Sequence, residues 1–340
     1  MQNLSLESRK DLNEPPIGCS KNTTLNSSTS AHNSKKNSAR KSSKASHFKN
    51  IMSQIQENAD SKKLTTFQAG GSIRYFAVAE SVEEIPELQK FAKEKGVPFF
   101  LLGFGSNVLV SDSGFDGLIV KLGKNFSHFK FDKERLSVKA ATPLSLIART
   151  SATLGLSGMH LLAGIPGSIG GAVTMNAGAY GQEIGQTLDS VEFLDEDGKI
   201  KTFSREECGF AYRKSSFQNS PKIILGATFK LSQGDSAELL AEQKRILAER
   251  QAKQPLEFPS AGSVFKRNGS HFPGALVEQA GFKGFTLGGA QISTKHANFI
   301  INIGNATAQQ IYDLSEIAKE KVFKASGVNL EREIIFLGRF

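Results

Sequence analysis

Three side chains in this chain could move a proton or hold a charge. Ser263 lies in Ser260-Ala261-Gly262-Ser263-Val264-Phe265, in a loop context beside glycine. No histidine neighbours it in sequence, so a hydrolase triad has no support, and an inert surface serine is the plain alternative. Arg213, in Tyr212-Arg213-Lys214-Ser215, is by default a surface arginine. Glu333 opens an apolar terminal segment, Glu333 to Leu337. A carboxylate there either faces solvent in the alternation or is buried for a reason.

Two glycine-bearing segments are the other chemical feature. In Gly103-Phe104-Gly105-Ser106-Asn107, alternate glycines let backbone N–H groups turn toward an anion, and Ser106 and Asn107 add side-chain donors. Alone, such a loop is more often just a turn. It is not a Rossmann fingerprint, because the third glycine is missing and a strand follows it. The Gly-Lys pair within Gly117 to Asn125 is not a P-loop either, since the spacing is one residue too long and Asn125 stands where Ser or Thr is needed. The second segment is more specific: Gly164-Ile165-Pro166-Gly167-Ser168-Ile169-Gly170-Gly171-Ala172, continuing through Asn176-Ala177-Gly178-Ala179-Tyr180-Gly181. Side chains this small let another group lie on the backbone. Close packing of two backbones is the competing explanation. The entropic cost of so many glycines favours a flat, phosphate-bearing cofactor.

The chain of 340 residues is long enough for two or three domains. No stretch approaches the ~20 apolar residues of a membrane helix, and the polar start, Met1 to Lys10, lacks the apolar region of a secretory signal. Two cysteines, Cys19 and Cys208, cannot form a disulfide framework, and a reduced cytoplasmic setting is expected. No metal-ligand spacing is present. The net charge of +9 is concentrated: residues 20–50 hold Lys21, Lys35, Lys36, Arg40, Lys41, Lys44 and Lys49 and no acid, which is 7 of the 9 charges. A nucleic-acid-binding face is therefore not expected on the folded part.

The elements that must position these residues follow from periodicity. Residues 1–60, rich in Ser, Asn and Lys, are expected to be a disordered basic tail, with Met52 an alternative start. A small α/β unit at 61–122 is expected next: a strand at Ile73 to Val78, a helix opened by a Ser81-Val82-Glu83-Glu84 capping box and stopped at Gly96, and strands at Val97 to Leu102, Val108 to Val110 and Leu118 to Leu122. A second unit at 123–233 has a strand at Arg135 to Ala140, a helix capped by Thr142 with Pro143 at its first position, a hairpin turning at Asp197-Gly198, and a strand at Ile223 to Leu231. A third, at 234–326, opens with a helix from about Ala237 to Lys253 whose Leu239, Leu240, Ile246 and Leu247 share a face. It also holds strands near Leu287 to Ile292 and Phe299 to Ile303, and a helix capped by Thr307 and Gln310 with Ile311, Leu314, Ala318 and Val322 on one face. Residues 327–340 supply a last strand that returns to the site.

The Gly103–Asn107 loop, the Gly164–Gly181 run, Tyr212-Arg213-Lys214-Ser215, Gly262-Ser263-Val264-Phe265 and Glu331-Arg332-Glu333-Ile334-Ile335 occur in one order that resembles the UDP-N-acetylenolpyruvoylglucosamine reductase family, over roughly residues 61–340. The compact stretch from Gly181 to Val191 leaves no room for an additional substrate-capping loop, which is similar to the family's type II. The resemblance implies an α+β fold: a two-part FAD-binding fold of the vanillyl-alcohol-oxidase (PCMH-like) kind plus a small α/β substrate-binding domain. It implies NADPH-driven reduction of an enolpyruvyl ether on a UDP-sugar through FAD, in peptidoglycan precursor synthesis. By family position Ser263 is the general acid, flanked by Arg213 and Glu333, with Glu331 the rival for the last place. An arginine there would stabilise the enolate formed after hydride addition, and a hydroxyl would deliver the proton. The implied FAD contacts are Gly103, Phe104, Gly105, Ser106, Asn107, Ile165, Pro166, Gly167, Ser168, Gly170, Gly171, Ala177 and Gly178. With no histidine in the first loop and only His160 near the second, non-covalent FAD is expected. The expected partners are the UDP-sugar and NADPH, with no membrane, no nucleic acid and a monomeric state. The alternatives are an FAD oxidase of the same fold acting on another small substrate, and a binding protein working through its basic tail.

Overall fold

A computed structural model describes residues 53–267, 269 and 271–340. The expected tail up to residue 52, with Cys19 and Met52, lies outside these. Its last residues are a correction: Gln56–Asp60 is strand β1, paired antiparallel with β2 (Ser72–Ala79). Only Ala59 of β1 is buried, so the strand carries almost no apolar signal, and the β2 ladder supplies the order. Helix α1 (Glu84–Glu94) follows, then β3 (Phe99–Leu101), β4 (Val108–Val110) and β5 (Phe115–Leu122). The sheet order is β1-β2-β5-β3, with β2, β5 and β3 parallel. Ile85, Leu88 and Ala92 bury one face of α1 on it. The expected capping box does not form. Residues 81–83 make a turn first, and the Glu84 carboxylate accepts from Glu80 N–H at 2.8 Å instead.

The second unit is a five-stranded antiparallel sheet in the order β12-β11-β13-β7-β6: β6 Phe129–Asp132, β7 Arg135–Lys139, β11 Leu188–Leu194, β12 Ile200–Ser204 and β13 Ile223–Lys230. Asp195 holds the β11–β12 turn by accepting from Asp197 N–H and Lys199 N–H. Between β7 and β11 come α2 (Leu144–Thr153), the two-residue strand β8 (Leu156–Ser157), α3 (Ile169–Thr174) and the small hairpin β9 (Gly178–Ala179) and β10 (Gln182–Glu183). Thr142 does not cap α2. Pro143 is the N-cap, and the Thr142 hydroxyl reaches His128 O.

After β14 (Ser232–Gln233, paired with β8), α4 (Ser236–Lys253) departs from the expected partition. It packs on the second unit: Ser236 Oγ donates to Thr153 O, and Gln243 Nε2 donates to Ala148 O and His160 O. Its inward stripe is Leu239, Gln243 and Ile246, while Leu247 is exposed. The apolar pattern misled because a glutamine occupies a buried turn.

The third unit contains α5 (Pro273–Gln279), the sheet β15 (Thr286–Leu287), β16 (Ala290–Ile292) and β17 (Ile300–Asn302), and α6 (Ala308–Ser326). The single strand expected at Leu287 to Ile292 is instead a hairpin, turned by Gly288 at φ +57°. α6 has both arms of its Thr307–Gln310 capping box and buries Ile311, Leu314, Ala318 and Val322. The core here also takes in Phe67, Ala69 and Leu109 from the first unit. Finally β18 (Ile335–Leu337) pairs parallel with β4. Among the described residues no helix is long and apolar enough to cross a membrane.

Two shortened chains test β1. Compared with a chain starting at Met52, one starting at Ser61 lacks the buried Ala59 and exposes the β2 edge. It should lose about 1–3 kcal/mol, a fall in Tm of roughly 3–10 °C for a protein of this size. Equal Tm values would show that β1 adds nothing.

Candidate active site

Arg213 sits in the turn of a tight hairpin closed by Ala211 N–H to Lys214 O and Lys214 N–H to Ala211 O, at 3.1 and 2.9 Å. Its φ is +54°, a left-handed conformation that non-glycine residues adopt seldom and at a cost. Neighbouring side chains hold it there. Gln218 Nε2 donates to Arg213 O, and Asn176 Nδ2 donates to Ala211 O, both at 2.9 Å. The guanidinium then bridges two segments. Nη2 donates to Gly178 O at 2.8 Å, and Nε donates to Glu333 Oε1 at 3.0 Å.

Glu333 is fixed through its backbone as well. Its N–H donates to Val264 O at 2.8 Å, and its C=O accepts from Asn107 Nδ2 at 2.9 Å. The Arg213 and Glu333 side chains are 18% and 16% exposed, whereas Glu331 is 73% exposed and pairs with Lys266. Burial pushes the Glu333 carboxyl above its ordinary value, opposed by the charge and hydrogen bond of Arg213 and by the charge of Lys266. Ser263 stands one residue from the Val264 carbonyl that holds Glu333, after Gly262 at φ +77°. Its segment is braced by Val264 N–H to Asn298 O and by the Asn298 amide, which bonds both Phe265 N–H and Phe265 O.

The two glycine segments adjoin. Ser106 Oγ donates to Pro166 O at 2.6 Å, and a Cβ on Gly103 would lie 2.9 Å from Ser168 Oγ. A Cβ on Gly167 would meet nothing closer than Ser106 Oγ at 3.8 Å, and one on Gly171 nothing closer than Ser168 Oγ at 3.5 Å. Those two backbone faces are open. Gly105, Gly170 and Gly178 are different, because a Cβ there would lie 2.1 Å from Leu64 O, 3.1 Å from Ala140 Cβ and 2.8 Å from Gln182 O. For these three, close packing explains the glycine. Ser168 caps α3 by accepting from Gly171 N–H, Phe104 is exposed, and Ile165 and Ala177 pack partly against the second core. Asn107's amide is engaged with Glu333 rather than free. His160 is buried, with Nε2 3.0 Å from Glu242. Open backbone, small side chains and nearby cations fit a flat cofactor carrying phosphates.

One cavity lies at the first glycine loop and another at the Arg213 hairpin. One, about 710 Å³, lies against Phe104 and is lined by Lys62, Lys63, Thr65, Thr66 and Lys121. The other, about 460 Å³, is lined by Tyr212, Arg213, Lys214, Lys266, Arg267 and Glu331, among others. The Arg267 guanidinium carbon lies 4.3 Å from the centre of the Phe272 ring, and the Arg267 backbone N–H donates to the Tyr212 hydroxyl. Four cations against one acid suit a polyanionic ligand. Lys214, Lys266 and Arg267 were not singled out from sequence, although the first two directly adjoin motif residues that were.

Comparison with known proteins points one way. Residues 254–337 match the family described as UDP-N-acetylenolpyruvoylglucosamine reductase, C-terminal domain, and residues 73–204 match an FAD binding domain. The chain is 39% identical over 284 residues to the UDP-N-acetylenolpyruvoylglucosamine reductase of Syntrophomonas wolfei, covering 84% of this chain and 95% of that one. It is 42% identical over 285 residues to the protein of that name from Pediococcus pentosaceus, with the same shares. The crystal structure of the Thermus caldophilus enzyme superposes with a TM-score of 0.72 at 32% identity, covering 84% of this chain and all of that one.

Arg213→Met tests the buried pair. The cation opposes the desolvation of Glu333, so the carboxyl should titrate higher still in the variant, as read by carbon-13 NMR of the labelled side chain. A lower value would contradict the geometry. The sign for stability follows. A folded carboxyl that keeps its proton above the ordinary value of 4.5 gives stability fully present below that pH and lost as pH rises through the folded value. The loss should extend to higher pH in Arg213→Met, with about 3–5 kcal/mol for breaking the pair at neutral pH.

Proposed function

The chain belongs to the UDP-N-acetylenolpyruvoylglucosamine reductase family, and on that premise we propose that Arg213, Ser263 and Glu333 perform its proton transfer and charge stabilisation. The reaction is the NADPH-dependent reduction of UDP-N-acetylglucosamine enolpyruvate to UDP-N-acetylmuramate, a step of peptidoglycan precursor synthesis, on a two-part FAD-binding fold. One observation carries the assignment of residues: the Arg213–Glu333 ion pair is buried where the first glycine loop, the β9 strand and the Ser263 segment are tied together.

When bound, FAD would supply the hydride-transfer chemistry that links NADPH to the enol ether. The protein does the rest. Gly103 to Asn107, Ile165 to Ser168, Gly170 and Gly171 would hold the cofactor, with Gly167 and Gly171 offering it open backbone. Ala177 and Gly178 complete that set. Arg213, its fork set by Glu333 and Gly178 O, stabilises the negative charge that develops beside the substrate carboxylate. Ser263 Oγ delivers the proton to that carbon. Lys214, Lys266 and Arg267 provide the field for the nucleotide diphosphate. The FAD-binding part then runs through α4 to residue 253, the substrate-binding part begins at residue 254, and β18 returns from it to β4. NADPH and nucleotide sugars are cytoplasmic metabolites, which supports a cytoplasmic enzyme.

Acid precipitation should release all the flavin to the supernatant, because His160, the histidine nearest the second segment, already pairs with Glu242. Yellow colour left in the pellet would contradict non-covalent FAD.

Ser263→Ala separates proton delivery from flavin reduction. Stopped-flow absorbance should show reoxidation by the enol ether slowed ~10²- to 10⁴-fold, with reduction by NADPH near wild type. Equal slowing of both steps would point to a damaged flavin site, and unimpaired reoxidation would remove Ser263 from the mechanism. Wild-type reduced enzyme reoxidised by oxygen but not by the enol ether would favour an oxidase.

A further inference from the structure

Asn298 is a buried amide in the connection between β16 and β17. Its backbone O accepts from Val264 N–H at 2.8 Å. Its Oδ1 accepts from Phe265 N–H, and its Nδ2 donates to Phe265 O, both at 3.0 Å. These groups all serve the two residues that follow Ser263. The Asn298 N–H turns the other way, to His296 Nδ1 at 3.2 Å. The connection is itself tightly built. Ser293 Oγ accepts from Lys295 N–H and His296 N–H, Phe299 N–H donates to His296 O, and the His296 and Phe299 rings meet edge to face. Burial draws the His296 imidazole below its ordinary value, which keeps Nδ1 free to accept.

Ser263 lies in the middle of a short, irregular ladder. On one side it bridges Phe299 antiparallel, and on the other Phe265 bridges Arg332. Val264 joins the two sides, because its N–H bonds Asn298 and its O accepts from Glu333 N–H. Before Ser263, Asn302 N–H donates to Pro259 O. Between that bond and the Val264–Asn298 bond, the Ser263 side holds one residue more than the side opposite. Gly262, at φ +77°, lies within this bulge, and a bulge re-aims the side chains beside it. After Ser263, the bonds of Glu333 N–H to Val264 O and Lys266 N–H to Glu331 O occupy one edge. Phe265 therefore turns its own N–H and C=O to the other edge, where they are buried and need partners. The β16–β17 connection veers off before Asn298, so the Asn298 amide supplies the rung that backbone would have made.

We propose that Asn298 is a positioning residue for proton delivery: its amide fixes the backbone that aims Ser263. This rests on the reading of Ser263 as the proton donor above. A bulge gives the Ser263 hydroxyl its direction but leaves the strip loose, and the two-point hold on Phe265 removes that slack. The same hold keeps Val264 O on Glu333 N–H, so the donor and the Arg213–Glu333 pair stay in one frame. Asn298 acts through Ser263 and not on the substrate. Its loss therefore falls on the step that needs the proton, because a misplacement of about 1 Å can cost ~10²-fold in rate.

The experiment is stopped-flow flavin absorbance in Asn298→Ala, Ser263→Ala, the double variant and Asn298→Asp. In Asn298→Ala the limiting rate of reoxidation by the enol ether should fall ~10- to 10²-fold. The half-saturating concentration of the enol ether and the rate of reduction by NADPH should change little. In the double variant, reoxidation should be no slower than in Ser263→Ala alone, since a positioning residue has nothing left to position. Additive losses would overturn the proposal, as would equal slowing of both half-reactions. Asn298→Asp adds a pH readout. Burial raises the pKa of the new carboxyl. Once protonated, it can accept from Phe265 N–H and donate to Phe265 O, as the amide does. Its reoxidation rate relative to wild type should therefore climb as pH falls, and a flat ratio would overturn the proposal. If Asn298→Ala does not fold, this profile decides. Unimpaired reoxidation in Ser263→Ala alone would sink the proton-donor reading and the proposal with it, on a readout that does not involve Asn298.

Discussion

Glu333 is restrained at three points by three different stretches of chain. Its N–H bonds Val264, its carbonyl accepts from Asn107, and its carboxylate takes the Arg213 guanidinium. No single contact is strong; a typical hydrogen bond nets about 0.5–1.5 kcal/mol. Together they bring the first glycine loop, the Ser263 segment and the Tyr212–Lys214 hairpin to one residue. The parallel pairing of β18 with β4 makes this possible, since Ile335 aligns with Val108 and its N–H reaches Asn107 O. The last strand of the chain thus fixes the register of the site against the first unit.

That arrangement carries electrostatic cost and backbone strain. Glu333 is desolvated enough to raise its pKa despite a guanidinium at hydrogen-bond distance. Arg213 holds a left-handed backbone that costs of order 1–3 kcal/mol and is fastened by Asn176 and Gln218. Asn176 is itself at φ +42°, with its carbonyl oxygen on Gly185 N–H and its amide shared between Glu183 and Ala211. Two strained residues tied to one ion pair mark a site whose geometry the surrounding structure over-determines. The exposed rim shows none of this. Lys266 and Glu331 pair at the surface, where such pairs are worth little.

The fold was legible wherever local chemistry and burial agreed. The Thr307–Gln310 box and the Ile311, Leu314, Ala318, Val322 stripe gave α6 directly, and Asp197-Gly198 marked the β11–β12 turn. Legibility failed where tertiary contact overrode local pattern. Gln56–Asp60 buries one alanine and takes its order from β2; α4 hides Gln243 in an otherwise apolar stripe. At the site, the residue types of Ser263, Arg213 and Glu333 were visible, but the contact between Arg213 and Glu333 spans 120 positions and has no local signature. The glycines were read as one cofactor surface, yet only some face open space. Gly105 and Gly178 are small because another backbone lies against them, and a sequence cannot separate those two causes.

Arg213 has a carboxylate at 3.0 Å and a carbonyl at 2.8 Å, so its position is settled before any ligand arrives. A group meant to meet charge at a fixed point in a reaction gains from that preorganisation, because no reorganisation is needed when the charge forms.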